Sequence, residues 1–470
     1  MTSADRPANT GPGDEPSGLP PELEDLLRQL TGGAEIPAEL RSMLAGAGLD
    51  RIDPAMMGVL TDQIQALMTG GASGDGGFDD EQATGIARKV VATEGDPSIT
   101  EGQTARVRDA VRTADLWLDP VTDLSAPGLT GRAWSRAEWV EATMPRWADL
   151  VEPIAEGVGG AVQGALSKQL GRLTEGGLPE GMIPPGMNPA AMMAQVEAMM
   201  RRVHGGLFSV QVGQGVGTLA THVVSGCEPS LPLVAAPSVV LLPRNVDDFA
   251  DGLGVAPAEV LLHLAAREVA RARLFHAVPW LGPHLLAVVR DYARGIVIDT
   301  DAIEAGLSSI DPSDPGAVQA ALEGKLFAPP ERTPTQQRAL TRLESTLALV
   351  EGWVDTVTAA AVRPHLPAAD ALGEAVRRRR ATGGPAEQTF GALVGLELRP
   401  RRLRDAVNLF AALEAAGGAD LRDRAWSHPD LAPSAADLDD PLGYVERLTT
   451  PQADALDAEL DALLRGEDPS

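Results

Sequence analysis

The sequence predicts a mainly α-helical protein with a small β element, and three observations predict it. Hydrophobic residues make up 44% of the 470 residues but aromatics only 3%. A core must then be filled by Ala, Leu and Val, which suits closely packed helices better than a sheet rich in aromatic and β-branched side chains. Apolar residues recur at helical spacing in one segment after another. By contrast only one run, residues 237–242 (PSVVLL), reads as a convincing strand.

Taken in order, residues 1–20 are rich in Pro, Gly, Asp and Ser without apolar periodicity and are expected to be disordered. Two short helical patterns follow over 21–48 and a third over 54–68, before the linker-like GGASGDGGFDD at 70–80. These features set residues 1–80 apart as an acidic, partly disordered N-terminal region. Residues 81–450 form the main domain and 451–470 a C-terminal helix and tail. Within the main domain, residues 81–119 supply two helices, the second opening on Ser98, Thr100 and Glu101 as capping and first-turn residues. A long helix is expected over 135–170, where Gly157, Gly160 and Gly164 allow another helix to approach closely. A methionine-rich helix at 190–202 and a low-charge helix at 206–225 precede the strand. Further helices are expected at 246–253, 257–275, 284–298, 317–326, 335–362 (entered after Pro334), 368–380, 386–393, 399–416 and 452–465.

Composition narrows the function. A net charge of −27 opposes association with DNA, RNA and anionic membrane surfaces. Cys227 is the single cysteine, which excludes an intramolecular disulfide or a cysteine-built zinc site and favours the reducing cytoplasm. The start of the chain lacks the basic and apolar runs of a signal peptide. The most apolar stretch, residues 206–224, carries Gln211, Gln214 and His222, so no membrane span is expected.

The chemistry concentrates at residues 259–283, whose centre reads Arg267, Glu268, Val269, Ala270, Arg271. This is the spacing of an HExxH helix with both histidines exchanged for arginine. HExxH works because residues four apart lie one above the other on a helix: two neutral imidazoles grip one zinc while the glutamate between them activates the metal's water. A guanidinium has five donors, no free lone pair and a permanent charge, so it repels a dication.

Residues 273–281 (RLFHAVPWL), GQGVGTL at 213–219, LPRN at 242–245, EGWVD at 351–355, the arginine run 377–380, LVGLELRPRRLR at 393–404 and WSHPDLAP at 426–433 extend the pattern over roughly residues 130–445. Together they closely resemble the zincin-like metallopeptidase family, also labelled zinc-dependent metalloprotease or hydrolase. The resemblance implies a zincin-like helical domain with a small sheet beside the active-site helix. In metal-binding relatives a later EGH motif supplies another ligand position; here it reads Glu351, Gly352, Trp353. Arg267, Arg271, Glu351 and Trp353 therefore mark the ligand positions and pocket of such a site, Glu268 marks the general-base position, and no residue is assigned as a metal ligand.

Two arginines in place of two histidines predict an ion-paired cluster around Glu268 and Glu351 instead of a metal cage. His263, His276 and His284 form no i, i+4 pair that could replace it. Ser225 and Cys227, in SGCEPS, have no recognisable base at motif spacing. The arginines at 377–380 and 399–404 have no interleaved aromatics and are expected to pair with acidic helices. The leading expectation is a non-catalytic binding or scaffolding protein that needs no cofactor and holds a peptide or small anionic ligand in the cleft. The alternatives are an active zinc-dependent metallopeptidase with Glu268 as base and unrecognised ligands, and a structural protein whose acidic N-terminal region binds a protein partner.

Overall fold

The computed structural model describes residues 78–175, 189–235, 237–294, 333–382 and 401–450, with positions 388 and 391. The helices expected at 21–68, 317–326 and 452–465, most of that at 386–393, and the N-terminal region up to residue 77 lie outside the described residues.

The chain opens with α1 (Asp80–Glu94) and α2 (Glu101–Leu118). Thr100 caps α2 as its position suggests. Its hydroxyl accepts from the Gln103 N–H at 3.2 Å while the Gln103 side chain accepts from the Thr100 N–H at 2.9 Å, so two otherwise orphaned donors are satisfied reciprocally. Strand β1 (Thr130–Ala133) leads into α3 (Arg136–Glu175), which runs through Pro145 and Pro153. The two helices expected at 190–202 and 206–225 are one, α4 (Pro189–Ala220), because the glycine pair 205–206 between them does not break it.

Strand β2 (Ser238–Leu241) pairs in parallel with β1, Thr130 opposite Ser238 and Ala133 opposite Leu241. A parallel pair needs a long crossover, and α3 and α4 provide it. The sheet holds only these two strands among the described residues. Strand β1 has no counterpart in the expected elements: TGRA is four residues long and buries only Ala133, leaving no alternation to recognise.

After α5 (Pro243–Ala250) come α6 (Pro257–Ala277) and α7 (Leu281–Arg294). Every residue of α6 from His263 to Arg271 is buried, so this helix is enclosed on all faces by α2, α5, β2 and later helices. Helix α8 (Pro334–Val362) starts with a second reciprocal cap between Thr333 and Gln336 and is also buried along most of its length. It packs on α6, on α7 and on α10 (Leu403–Arg424), while α9 (Ala369–Thr382) lies against both α6 and α8. Helix α10 is broken by a kink at Gly417 and Gly418, the latter at φ 72°, next to the expected end at Ala416. Short helices α11 (Ala435–Asp439) and α12 (Pro441–Thr449) close the described chain.

A polar tie fixes the segment between α4 and α5. Buried Asn245 donates to the carbonyls of Ala220 (2.9 Å) and Val223 (2.6 Å), and accepts from Arg136 Nε at 2.7 Å. Arg136 also donates to the Gly95 carbonyl at 2.9 Å. The Asn of LPRN thus anchors the loop that faces α6. No helix among the described residues is long and apolar enough to cross a membrane.

Candidate functional site

Successive turns of α6 present Arg267, Glu268 and Arg271 to one side, and α8 brings Glu351 and Asp355 to meet them. Residues four apart share a helix face, so Arg267 and Arg271 on α6 face Glu351 and Asp355 on α8. Arg267 donates through Nη1 to Asp355 Oδ1 at 2.9 Å and through Nη2 to Glu351 Oε2 at 2.8 Å. Arg271 donates through Nε to Glu351 Oε1 at 2.9 Å and through Nη1 to Glu268 Oε2 at 2.7 Å. All five residues are at most 4% exposed.

The loop after α4 completes the network. Glu268 accepts from the Ser225 hydroxyl at 2.8 Å and from the Cys227 N–H at 2.7 Å. Between them Gly226 has no room for a side chain: a Cβ there would lie 2.8 Å from Val234 and 3.0 Å from Val240. Ser230 sits at φ 63°, unusual for a residue with a side chain, and donates its hydroxyl to Glu351 at 2.7 Å. From α9, Arg380 donates to the Ser230 hydroxyl at 3.0 Å and approaches Glu351 at 3.8 Å, while Arg377 bonds Asp355 at 2.9 Å.

These contacts dominate the local electrostatics. Burial alone would raise the Glu351 carboxyl, but Arg271, Arg380 and Arg267 hold it far below the usual carboxylate range. Burial likewise works against the charge on Arg271, and Glu351 and Glu268 more than reverse that. Cys227 is buried and its thiol is pushed up to about 12, first by burial and then by the adjacent Glu268, which leaves it a protonated, unreactive sulfhydryl.

Arg267, Glu268 and Arg271 therefore meet Glu351, whose place at the site the resemblance implied, in the ion-paired cluster expected around Glu268 and Glu351. Trp353 does not join them. Two residues beyond Glu351 it points about 200° away around α8, fully buried, with its indole N–H donated to Asp423 at 2.8 Å. The histidines do not assemble either: His263 is buried on α6, His276 is exposed and His284 packs edge-on against Trp280. The arginine runs pair with acids, Arg378 with Glu374, Arg379 with Glu228, Arg401 with Glu344 and Arg402 with Asp405 and Asp439. Arg399 lies outside the described residues.

Residues 79–445 match the family profile described as zincin-like metallopeptidase. The chain belongs to the zincin-like metallopeptidase family. A crystal structure from Chloroflexus aurantiacus, described as "a putative hydrolase with a novel fold", is similar with a TM-score of 0.53 and 18% identity, covering 79% of this chain and 98% of that one. At that identity the likeness concerns the fold. No curated protein gives a significant match.

Zincin-like chemistry implies zinc, and the residues at this site do not suit it. Guanidinium groups stand at both helix positions that would offer imidazole lone pairs, and the oxygens of Glu268 and Glu351 already accept from arginines and serines. Among the described residues no group of three His, Cys, Asp or Glu side chains is placed to hold a metal ion.

Proposed function

We propose that this chain is a non-catalytic member of its family, a binding or scaffolding protein in which an ion-paired network has taken the place of a metal cage. The observation that carries the reading is the state of Glu268. A general base needs a free oxygen within reach of a water or substrate proton. Both oxygens of this carboxylate instead accept hydrogen bonds, from Cys227 N–H on one side and from Ser225 and Arg271 on the other. Permanently charged arginines beside it offer zinc no lone pair, and without the metal there is no bound water of lowered pKa for the carboxylate to deprotonate. The retained role is recognition, at the arginine-lined opening beside the network, of a peptide or small anionic ligand, without a cofactor.

Proteolysis tests this reading. The purified full chain is expected to leave an unstructured substrate such as casein uncut, with and without added zinc, and Glu268→Gln is expected to change nothing. Cleavage that a chelator stops and Glu268→Gln abolishes would overturn it.

A further inference from the structure

Among the described residues the two-stranded sheet has one closed margin and one open margin. Beyond β2 runs the loop after α4: Gly226 N–H donates to the Val240 carbonyl at 3.0 Å and Leu242 N–H to the Val224 carbonyl at 3.0 Å, and this margin reaches the network through Ser225. Strand β1 forms the other margin. Thr130 N–H donates to the Pro237 carbonyl at 2.9 Å and Trp134 N–H to the Leu241 carbonyl at 3.0 Å. Backbone direction alternates along a strand, so Gly131 and Ala133 turn their N–H and C=O groups away from β2. Neither residue has a hydrogen-bond partner there among the described residues. Such an edge is a template for another extended chain.

Arginines stand on both faces beside it. A Cβ on Gly131 would lie 2.9 Å from Arg108 Cα and 2.9 Å from Val111 Cβ, so the Gly131 face of the strand rests on α2, where exposed Arg108 and Arg112 are one turn apart. Arg132 takes the opposite face and is exposed. None of these three arginines has a hydrogen bond or ion pair among the described residues, and exposed Asp109, between Arg108 and Arg112 in sequence, pairs with neither. Three unpaired cations beside an open strand edge, in a chain of net charge −27, indicate what would complement it.

We propose that the outer edge of β1 docks an extended acidic segment of a partner protein by strand addition. The N–H and C=O groups of Gly131 and Ala133 pair with the incoming backbone, whose side chains alternate between the two faces. Carboxylates on one face meet Arg108 and Arg112, and those on the other meet Arg132. A second copy of this chain is a poor occupant, because it would bring arginine against arginine and one charge of −27 against another. The edge lies across the sheet from Ser225 and Glu268, so the inference holds whether or not the chain is catalytic.

Fluorescence anisotropy on the full chain tests the assignment with four labelled probes. These are the end-blocked peptide Thr-Glu-Val-Glu-Glu-Val, its counterpart with lysine for each glutamate, the acidic peptide methylated on every backbone nitrogen, and a short oligothymidylate. Saturable one-to-one binding of the acidic peptide, with none for the other three, supports it. Methylation keeps the charge and removes the backbone donors, so it separates strand addition from simple attraction between charges. The double variant Arg108→Glu with Arg132→Glu is expected to weaken the acidic peptide about tenfold with an unchanged melting temperature, since neither side chain has a partner to lose. No binding of the acidic peptide, equal binding of the methylated peptide, the lysine peptide or the oligonucleotide, or an unchanged affinity in the double variant would overturn it. So would a dimer in sedimentation velocity that the acidic peptide dissociates, which would make a second copy the occupant.

Discussion

Arg271 divides one guanidinium between two helices, bonding Glu268 on its own helix and Glu351 on α8. Removing it leaves two buried carboxylates short of a cation, the situation in which breaking a buried pair is most damaging. Arg271→Ala is expected to lower the unfolding free energy by about 3–5 kcal/mol, measured by urea denaturation at pH 7. A loss below ~1 kcal/mol would mean that the network contributes no more than a surface ion pair. The same network gives stability a defined pH sense. Glu351 is held below its ordinary 4.5, so its contribution is present above that pH and declines as the pH falls beneath it.

His263, one turn before Arg267, is buried with neither ring nitrogen hydrogen-bonded. Burial and then Arg267 and Arg377 lower it from 6.5 to about 3. The unfolded chain therefore takes up a proton below pH 6.5 that the folded chain refuses, and stability drains away between pH 6.5 and 3. His263→Leu removes this loss. Relative to the parent, the variant is expected to gain about 2 kcal/mol between pH 8 and pH 5, read from urea midpoints at the two values. Parallel pH curves for parent and variant would contradict the assignment.

At the scale of the elements, α8 meets α10 so closely that a Cβ on Gly352 would lie 2.6 Å from Ala406 Cβ and 2.9 Å from its carbonyl carbon. Alanine normally favours a helix over glycine by about 1 kcal/mol. Here the neighbouring backbone would have to move, and Gly352→Ala is expected to destabilise by about 1–3 kcal/mol, seen as a lower melting temperature. Because Glu351 precedes it, a shift of α8 also disturbs the network. A stabilised variant would show that the two helices stand further apart than these distances require.

The helices were legible because their signals are local. Thr100, Pro334 and the apolar spacing of α6 and α8 each act within a few residues of themselves. The RExxR stretch likewise pointed to an ion-paired cluster, since residue chemistry and helical spacing alone bring Arg267, Glu268 and Arg271 to one place. What stayed hidden depends on distant packing. Ser225 and Ser230 reach Glu268 and Glu351 across 43 and 121 residues of chain, with no spacing to reveal it. Trp353 enters the expected site only because it stands where the resembled EGH motif has its histidine, and helical geometry turns it toward Asp423.

Across the whole molecule, a chain carrying −27 formal charges concentrates five arginines, 267, 271, 377, 379 and 380, around one buried junction of α6, α8, α9 and the loop after α4. Family membership explains the shape of that junction, and the residues occupying it explain why we assign it to recognition instead of hydrolysis. The most direct measurement is the metal content of the purified full chain, by elemental analysis after dialysis and again after incubation with zinc and gel filtration. The account predicts well under a tenth of an equivalent of zinc per chain in both samples. One tightly held zinc per chain, lost in Glu351→Gln or Glu268→Gln, would contradict it.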